Sequence, residues 1–193
     1  MPEKISENIY RIGKDSNVYL IYSDFPIIID TGEEEYREYI KDEIESICPC
    51  DDIKAVILTH LHYDHSGNVS IFPKATFYAS TEAIKCHQNM PVETVFVWDS
   101  NREDYFKNIT LIPIPSEFHG LKVLLTPGHT RGSICLYLTS KKILFSGDTL
   151  FFRGEGRIDL PTSEPDKIEK SLQKIAELDY ETLCPGHDYG RSS

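Results

Sequence analysis

The stretch 59–68 reads THLHYDHSGN and places three histidines and one aspartate within six positions, from His60 to His65. Neutral imidazole and carboxylate are the donors that zinc and similar ions take. Side chains two apart on an extended segment share a face, so His60 and His62 can reach one ion together. His65 breaks that alternation and requires the chain to bend. Ser66, Gly67 and Asn68 supply helix-start and turn chemistry at that place. The bend aims Asp64 and His65 at a different point, which suits a second ion.

The elements that must position these groups are apolar strands. The run 55–58 reads as a buried strand that feeds the histidine cluster. Three more donors sit just past predicted strands: His129 after 121–125, Asp148 after 142–145 and His187 after 181–184. Each follows a glycine (Gly128, Gly147, Gly186), which permits a tight turn and close backbone approach. With the first cluster this makes five histidines and two aspartates, enough for two ions with a carboxylate between them. His87, in a predicted helix, and His119, before a strand, read as surface or structural residues. Asp30 ends another apolar run ahead of Thr31-Gly32, where a turn beside a site and a plain turn fit alike.

The remaining pattern predicts strands at 9–12, 17–23, 26–29, 75–79, 95–98, 109–114 and 133–138. Helices are predicted over 33–47, ended by Pro49, over 81–88, capped by Ser80 or Thr81, and over 164–178. A short helix after the histidine cluster finishes near 68–72. The segment 89–117 reads as a sheet edge or a substrate-facing loop. Two facing sheets with helices outside accommodate this order.

At 193 residues the chain is expected to form one domain, 1–193. A net charge of −11 and a pI near 5.0 argue against general nucleic-acid binding and against an anionic membrane surface. No apolar run approaches the ~18 residues of a membrane span, and no signal peptide is visible. The five cysteines are odd in number and scattered. Cys135 and Cys184 read as small core residues, and Cys48-Pro49-Cys50 as a loop too tight for a C-x-x-C site. A reduced, cytoplasmic setting is expected.

With these motifs in order, the sequence resembles the metallo-β-lactamase superfamily and, within it, the glyoxalase II-like hydrolases. The likeness spans 17–189 and rests on the Asp30 turn, His60-x-His62-x-Asp64-His65, His129, Asp148 and His187. It implies an α+β fold, a four-layer αββα sandwich of two mixed sheets with the site at the edge between them. It assigns His60, His62 and His129 to one metal, and Asp64, His65 and His187 to a second, with Asp148 bridging. Asp64 and Asp148 are the catalytic candidates, orienting a bridging hydroxide and shuttling its proton, and Asp30 is a candidate partner behind a ligand histidine. Zinc is the expected ion in both positions, with Fe2+ and Mn2+ as alternatives.

The run 147–161, GDTLFFRGEGRIDLP, looks like that of small microbial glyoxalase II and persulfide dioxygenase branches. By resemblance Arg157 and Tyr189 take positions that hold the thiol moiety in glyoxalase II, whereas Asp159 replaces a second tyrosine. For Arg157 a salt bridge to Asp159 or Glu155 competes with substrate binding. The chain stops at Ser193, before the added C-terminal helical domain of that family. Glutathione specificity therefore does not follow from the resemblance, and the reaction implied is glyoxalase II-like hydrolysis of a hydroxyacyl thioester, a smaller acyl-thioester included, or of a related ester. The alternatives are a mononuclear iron persulfide dioxygenase using His60, His129 and Asp148, and a non-catalytic, metal-stabilised binding module. Neither oligomeric state nor pathway is written in the sequence.

Overall fold

A computed structural model describes residues 1–96 and 106–191. Among the described residues, one sheet orders seven strands as they occur in the chain: β1 (Glu3–Ser6), β2 (Ile9–Gly13), β3 (Asn17–Ile21), β4 (Ile27–Ile29), β5 (Ala55–Ile57), β6 (Thr76–Ala79) and β7 (Leu111–Pro113). β1 to β4 form an antiparallel meander, and β4 to β7 run parallel. A second sheet contains β8 (Glu117–Phe118), β9 (Leu121–Leu125), β10 (Ile134–Leu138), β11 (Ile143–Gly147) and β12 (Thr182–Pro185), in the order β12-β11-β10-β9-β8. Its pairs are antiparallel except β11 with β12.

Strand alternation divides the apolar residues into layers. Ile27, Ile29, Ala55 and Ile57 of the first sheet meet Ile134, Leu136, Ile143 and Phe145 of the second in one buried cluster. Their neighbours Ile28 and Val56 point the other way, into a cluster with Ile40 and Ile44 of helix α1 (Arg37–Glu45) and Ala83 of α3 (Thr81–Asn89). On the far side, Cys135, Tyr137 and Leu144 pack with Ile175 of α5 (Pro165–Ala176). Helix, sheet, sheet, helix is the αββα sandwich. Two short helices, α2 (Tyr63–Ser66) and α4 (Pro91–Val95), lie in connections. No described helix is long and apolar enough to cross a membrane.

The helix expected over 33–47 begins as a 3-10 turn, Glu34–Tyr36, and ends at Glu45. Ser80 caps α3, its hydroxyl accepting the Ala83 N–H at 3.0 Å. Val95 closes α4, so the strand expected at 95–98 does not start there; Val97 and Trp98 lie outside the described residues. Pro91 opens that helix, its missing N–H being no loss at a first turn. The helical finish near 68–72 is the 3-10 turn Val69–Ile71, after the α-helical turn has ended at Ser66. β1 and β8 carry too few apolar residues to have been read as strands, and both are held by pairing to a neighbour.

Phe145 joins the two sheets, fully buried and edge-on to Tyr19 at 5.2 Å between ring centres. We expect Phe145→Ala to cost about 3–5 kcal/mol of unfolding free energy, read from urea denaturation. A loss below about 1 kcal/mol, well under that range, would contradict the placement of Phe145 at the centre of the sandwich.

Candidate metal centre

Parallel strands end on the same side of a sheet, so β4 and β5 deliver Asp30 and His60 to one edge. β11 and β12 deliver Asp148 and His187 to the facing edge of the other sheet. The loop from β9 to β10 adds His129. Asp30 stands at φ 57°, a left-handed conformation that Asp tolerates better than most residues. There its Oδ1 accepts the Thr59 N–H at 2.7 Å, and its Oδ2 accepts the Thr59 hydroxyl at 2.7 Å and His65 Nδ1–H at 2.9 Å. Gly147 turns left-handed at φ 49°, with Thr59 so near that a Cβ would lie 2.6 Å from its hydroxyl oxygen. A Cβ at Gly186 would collide with the Asp148 carboxylate.

Donor atoms of His60, His62 and His129 lie within 4.8 Å of one another, as do those of Asp64, His65 and His187. Asp148 stands between the trios. Its Oδ1 is 3.3 Å from His65 Nε2, and its Oδ2 is 3.6 Å from both His129 Nε2 and His187 Nε2. All seven residues expected from sequence are therefore brought together.

Hydrogen bonds set which nitrogen each ring presents. His65 Nδ1–H donates to Asp30, His129 Nδ1–H to the Arg157 carbonyl at 2.8 Å, and His187 Nδ1–H to the Asp15 carbonyl at 3.0 Å. The Thr59 hydroxyl gives its hydrogen to Asp30 and so accepts from His60 Nδ1–H at 3.2 Å. Four imidazoles thus keep Nε2 for the centre of the site. His60 Nε2, His62 Nε2 and Asp148 Oδ1 are buried without a hydrogen-bond partner among the described residues. Unsatisfied buried polar atoms are costly; a cation among the trios would satisfy His60 Nε2 and Asp148 Oδ1, while His62 faces His129 Nε2 with its Nδ1 at 3.0 Å. The donor set suits divalent metal ions.

Without a cation the rings and carboxylates hold one another's charge. Burial, reinforced by His65 and His62, pushes His60 well below the ordinary histidine range. Burial and the adjacent His129 take His62 down to about 3. For His65 burial acts against the proton, but Asp148, Asp64 and Asp30 outweigh it and raise the imidazole well above its usual value. Burial likewise opposes the charge of Asp148, yet His65, His129 and His187 hold its carboxyl far below the carboxylate range. The surrounding carboxylates thus favour the protonated form of His65, and metal binding would compete with that proton.

The flanking candidates divide. Tyr189 lies face to face on His187, ring centres 4.9 Å apart and planes 7° from parallel, and remains more than half exposed. The Arg157 guanidinium forks onto the Asp159 carboxylate at 2.9 and 3.0 Å, the salt bridge that sequence set against substrate binding. Its contribution to the centre is the backbone carbonyl that holds His129. Of the two histidines set aside, His119 stacks on Phe25, ring centres 3.9 Å apart. His87 lies in α3, against Phe106. Sequence reasoning missed Thr59, whose hydroxyl and N–H both answer Asp30, although it adjoins His60. It also missed Asp15 and Ser16, whose link to a histidine 172 residues away leaves no local signal.

The family model for the metallo-β-lactamase superfamily matches residues 11–187. A "probable metallo-hydrolase" of Methanocaldococcus jannaschii is 32% identical over 185 residues, covering 91% of this chain and 88% of its own. The hydroxyacylglutathione hydrolase of Pectobacterium atrosepticum is 34% identical over 172 residues, 86% of this chain, and the match spans only 59% of that relative's length. Among solved structures, a metallo-β-lactamase family protein from Thermus thermophilus superposes with a TM-score of 0.78 at 20% identity, over 95% of this chain and 74% of that one. With two sheets facing between helices and a histidine–aspartate cluster at their shared edge, the chain belongs to the metallo-β-lactamase superfamily.

Proposed function

We propose that this protein is a dinuclear metallo-hydrolase of acyl thioesters or related esters. One observation carries the reading: two trios of donors meet at one carboxylate, Asp148, with ring nitrogens turned toward the middle. The relatives named as hydroxyacylglutathione hydrolases support the thioester class, and the matches span 64% and 59% of their lengths. In our reading His60, His62 and His129 hold one ion, Asp64, His65 and His187 the other, and Asp148 both. Zinc is the proposed ion on donor type. Five free thiols agree with a reducing cytoplasm.

When bound, two divalent ions supply a water acidic enough to ionise near neutral pH and a Lewis acid for the carbonyl. The protein's own residues do the rest. Burial opposes the charges of Asp64 and Asp148, but the neighbouring imidazoles outweigh it and lower both carboxyls, which suits both to accept hydrogen bonds. Asp64 is the more open, with its side chain 17% exposed against 9% for Asp148, and is placed to pass a proton to solvent. Asp30 and Thr59 fix the tautomers of His65 and His60. Tyr189, against His187 and facing solvent, offers an aromatic face to the substrate. Arg157 acts through its carbonyl on His129.

Replacing His60 or Asp148 with alanine is expected to lower bound metal, by elemental analysis, and to bring thioester hydrolysis to background. Full turnover in a metal-depleted variant would reject the scheme. Oxygen consumption with a persulfide on a single iron, without thioester turnover, would replace it with the dioxygenase reading. Asp30→Asn presents an N–H where His65 Nδ1–H needs an acceptor, which drives the ring proton to Nε2. Metal affinity is expected to fall about 10–100-fold, by competition with a chromophoric chelator. Unchanged affinity would remove Asp30 from the account.

A further inference from the structure

The segment that carries His187 belongs to the second sheet but is held by the first. Tyr19 Oη donates to the Pro185 carbonyl at 2.7 Å, and Asn17 Nδ2 donates to the same oxygen at 3.0 Å. The Asn17 N–H donates to the Gly186 carbonyl at 2.7 Å. Ser16 pairs antiparallel with His187, and Asp15 takes the His187 Nδ1–H on its carbonyl. The Ser16 hydroxyl donates to the Asp64 carbonyl. One residue past His187, Asp188 Oδ1 accepts from Asn17 Nδ2 at 3.2 Å, while Asp188 Oδ2 pairs with the Arg11 guanidinium. Arg11 is itself fixed by Glu3 at 2.5 Å. Arg191 reaches the same two carboxylates, Glu3 at 2.5 Å and Asp188 at 3.7 Å.

Every one of these first-sheet partners lies on β1 or on the β2–β3 hairpin. Together they reach two members of the second trio, His187 and Asp64. None of these bonds reaches His60, His62 or His129; Thr59 backs His60 and the Arg157 carbonyl backs His129. The hairpin therefore supports the second trio and not the first, while Asp30 serves both, accepting from His65 and from the Thr59 hydroxyl behind His60. We infer that the Arg11–Asp188 ion pair is a positioning device for the second cation position: it locks the hairpin to the His187 segment and sets that position's affinity apart from the first. The inference rests on the reading of the two trios as cation positions. The pair is partly open to solvent, with side-chain exposures of 19% and 42%, so its charges add little to global stability. Its leverage is geometric, one residue from a ligand ring.

The test titrates metal-stripped protein with Co2+ and reads both dissociation constants by calorimetry, with the urea midpoint recorded alongside. Wild type is expected to take two equivalents. R11M and D188N are expected to bind the first equivalent as wild type does and the second about tenfold or more weakly. R11K, which keeps the charge toward Asp188, is expected to recover much of the second. D188N is nearly isosteric and keeps the test open if R11M does not fold. A second equivalent unchanged in both R11M and D188N overturns the inference, and so does equal weakening of both equivalents together with a lowered midpoint. Wild-type protein that takes up no Co2+ overturns the cation-site reading as well, a result distinct from either of those.

Discussion

A histidine that serves a metal almost always gives its other ring N–H to an oxygen nearby. At this site four rings have Nδ1–H tied to an oxygen of another residue, so that Nε2 is the free face. Those oxygens come from Asp30, Thr59, Arg157 and Asp15, residues scattered over most of the chain. The arrangement of strands, turns and glycines around the site can be understood as what it takes to bring those oxygens behind those rings. Asp30 is the tightest knot among them, since its two oxygens serve a backbone amide, a hydroxyl and a ring at once.

The sandwich makes this crowding tolerable. Seven donors in a small buried volume repel and dehydrate one another, and a loop alone would open to water. Here the donors sit at the ends of strands whose other residues form the core between the sheets and the layers beneath the helices. Parallel pairing of β4 with β5 and of β11 with β12 puts the ends together on one side of each sheet. The packing that stabilises the fold and the geometry that orients the ligands therefore share the same strands.

Much of this was legible in the chain itself. The candidate ligand residues announce themselves by type, by the glycine before them and by an apolar run before that, as at His129, Asp148 and His187. The layered fold follows from alternation in runs such as 27–29 and 134–138. The supports behind the ligands were less legible. Asp30 reads by its own residues as a turn as readily as a site, and its candidacy as a partner of a ligand histidine left open which ring it meets, His65. Asp15, Ser16 and Arg11 act on His187 from the opposite end of the chain, through backbone carbonyls and ion pairs that any sequence could offer. Arg157 was noticed for its charge, but that charge is met by Asp159, and the backbone carbonyl is what reaches the site. The helix at Val95 was misread because β-branched residues crowd that stretch, whereas Pro91 sets a helical first turn.

The central claim is that two cation positions share Asp148. The most direct measurement is anomalous diffraction, at the metal absorption edge, from crystals of the metal-loaded protein. Two peaks are predicted, one among His60, His62 and His129 and one among Asp64, His65 and His187, with Asp148 between them. A single peak away from Asp148, or none in fully loaded protein, would contradict the account.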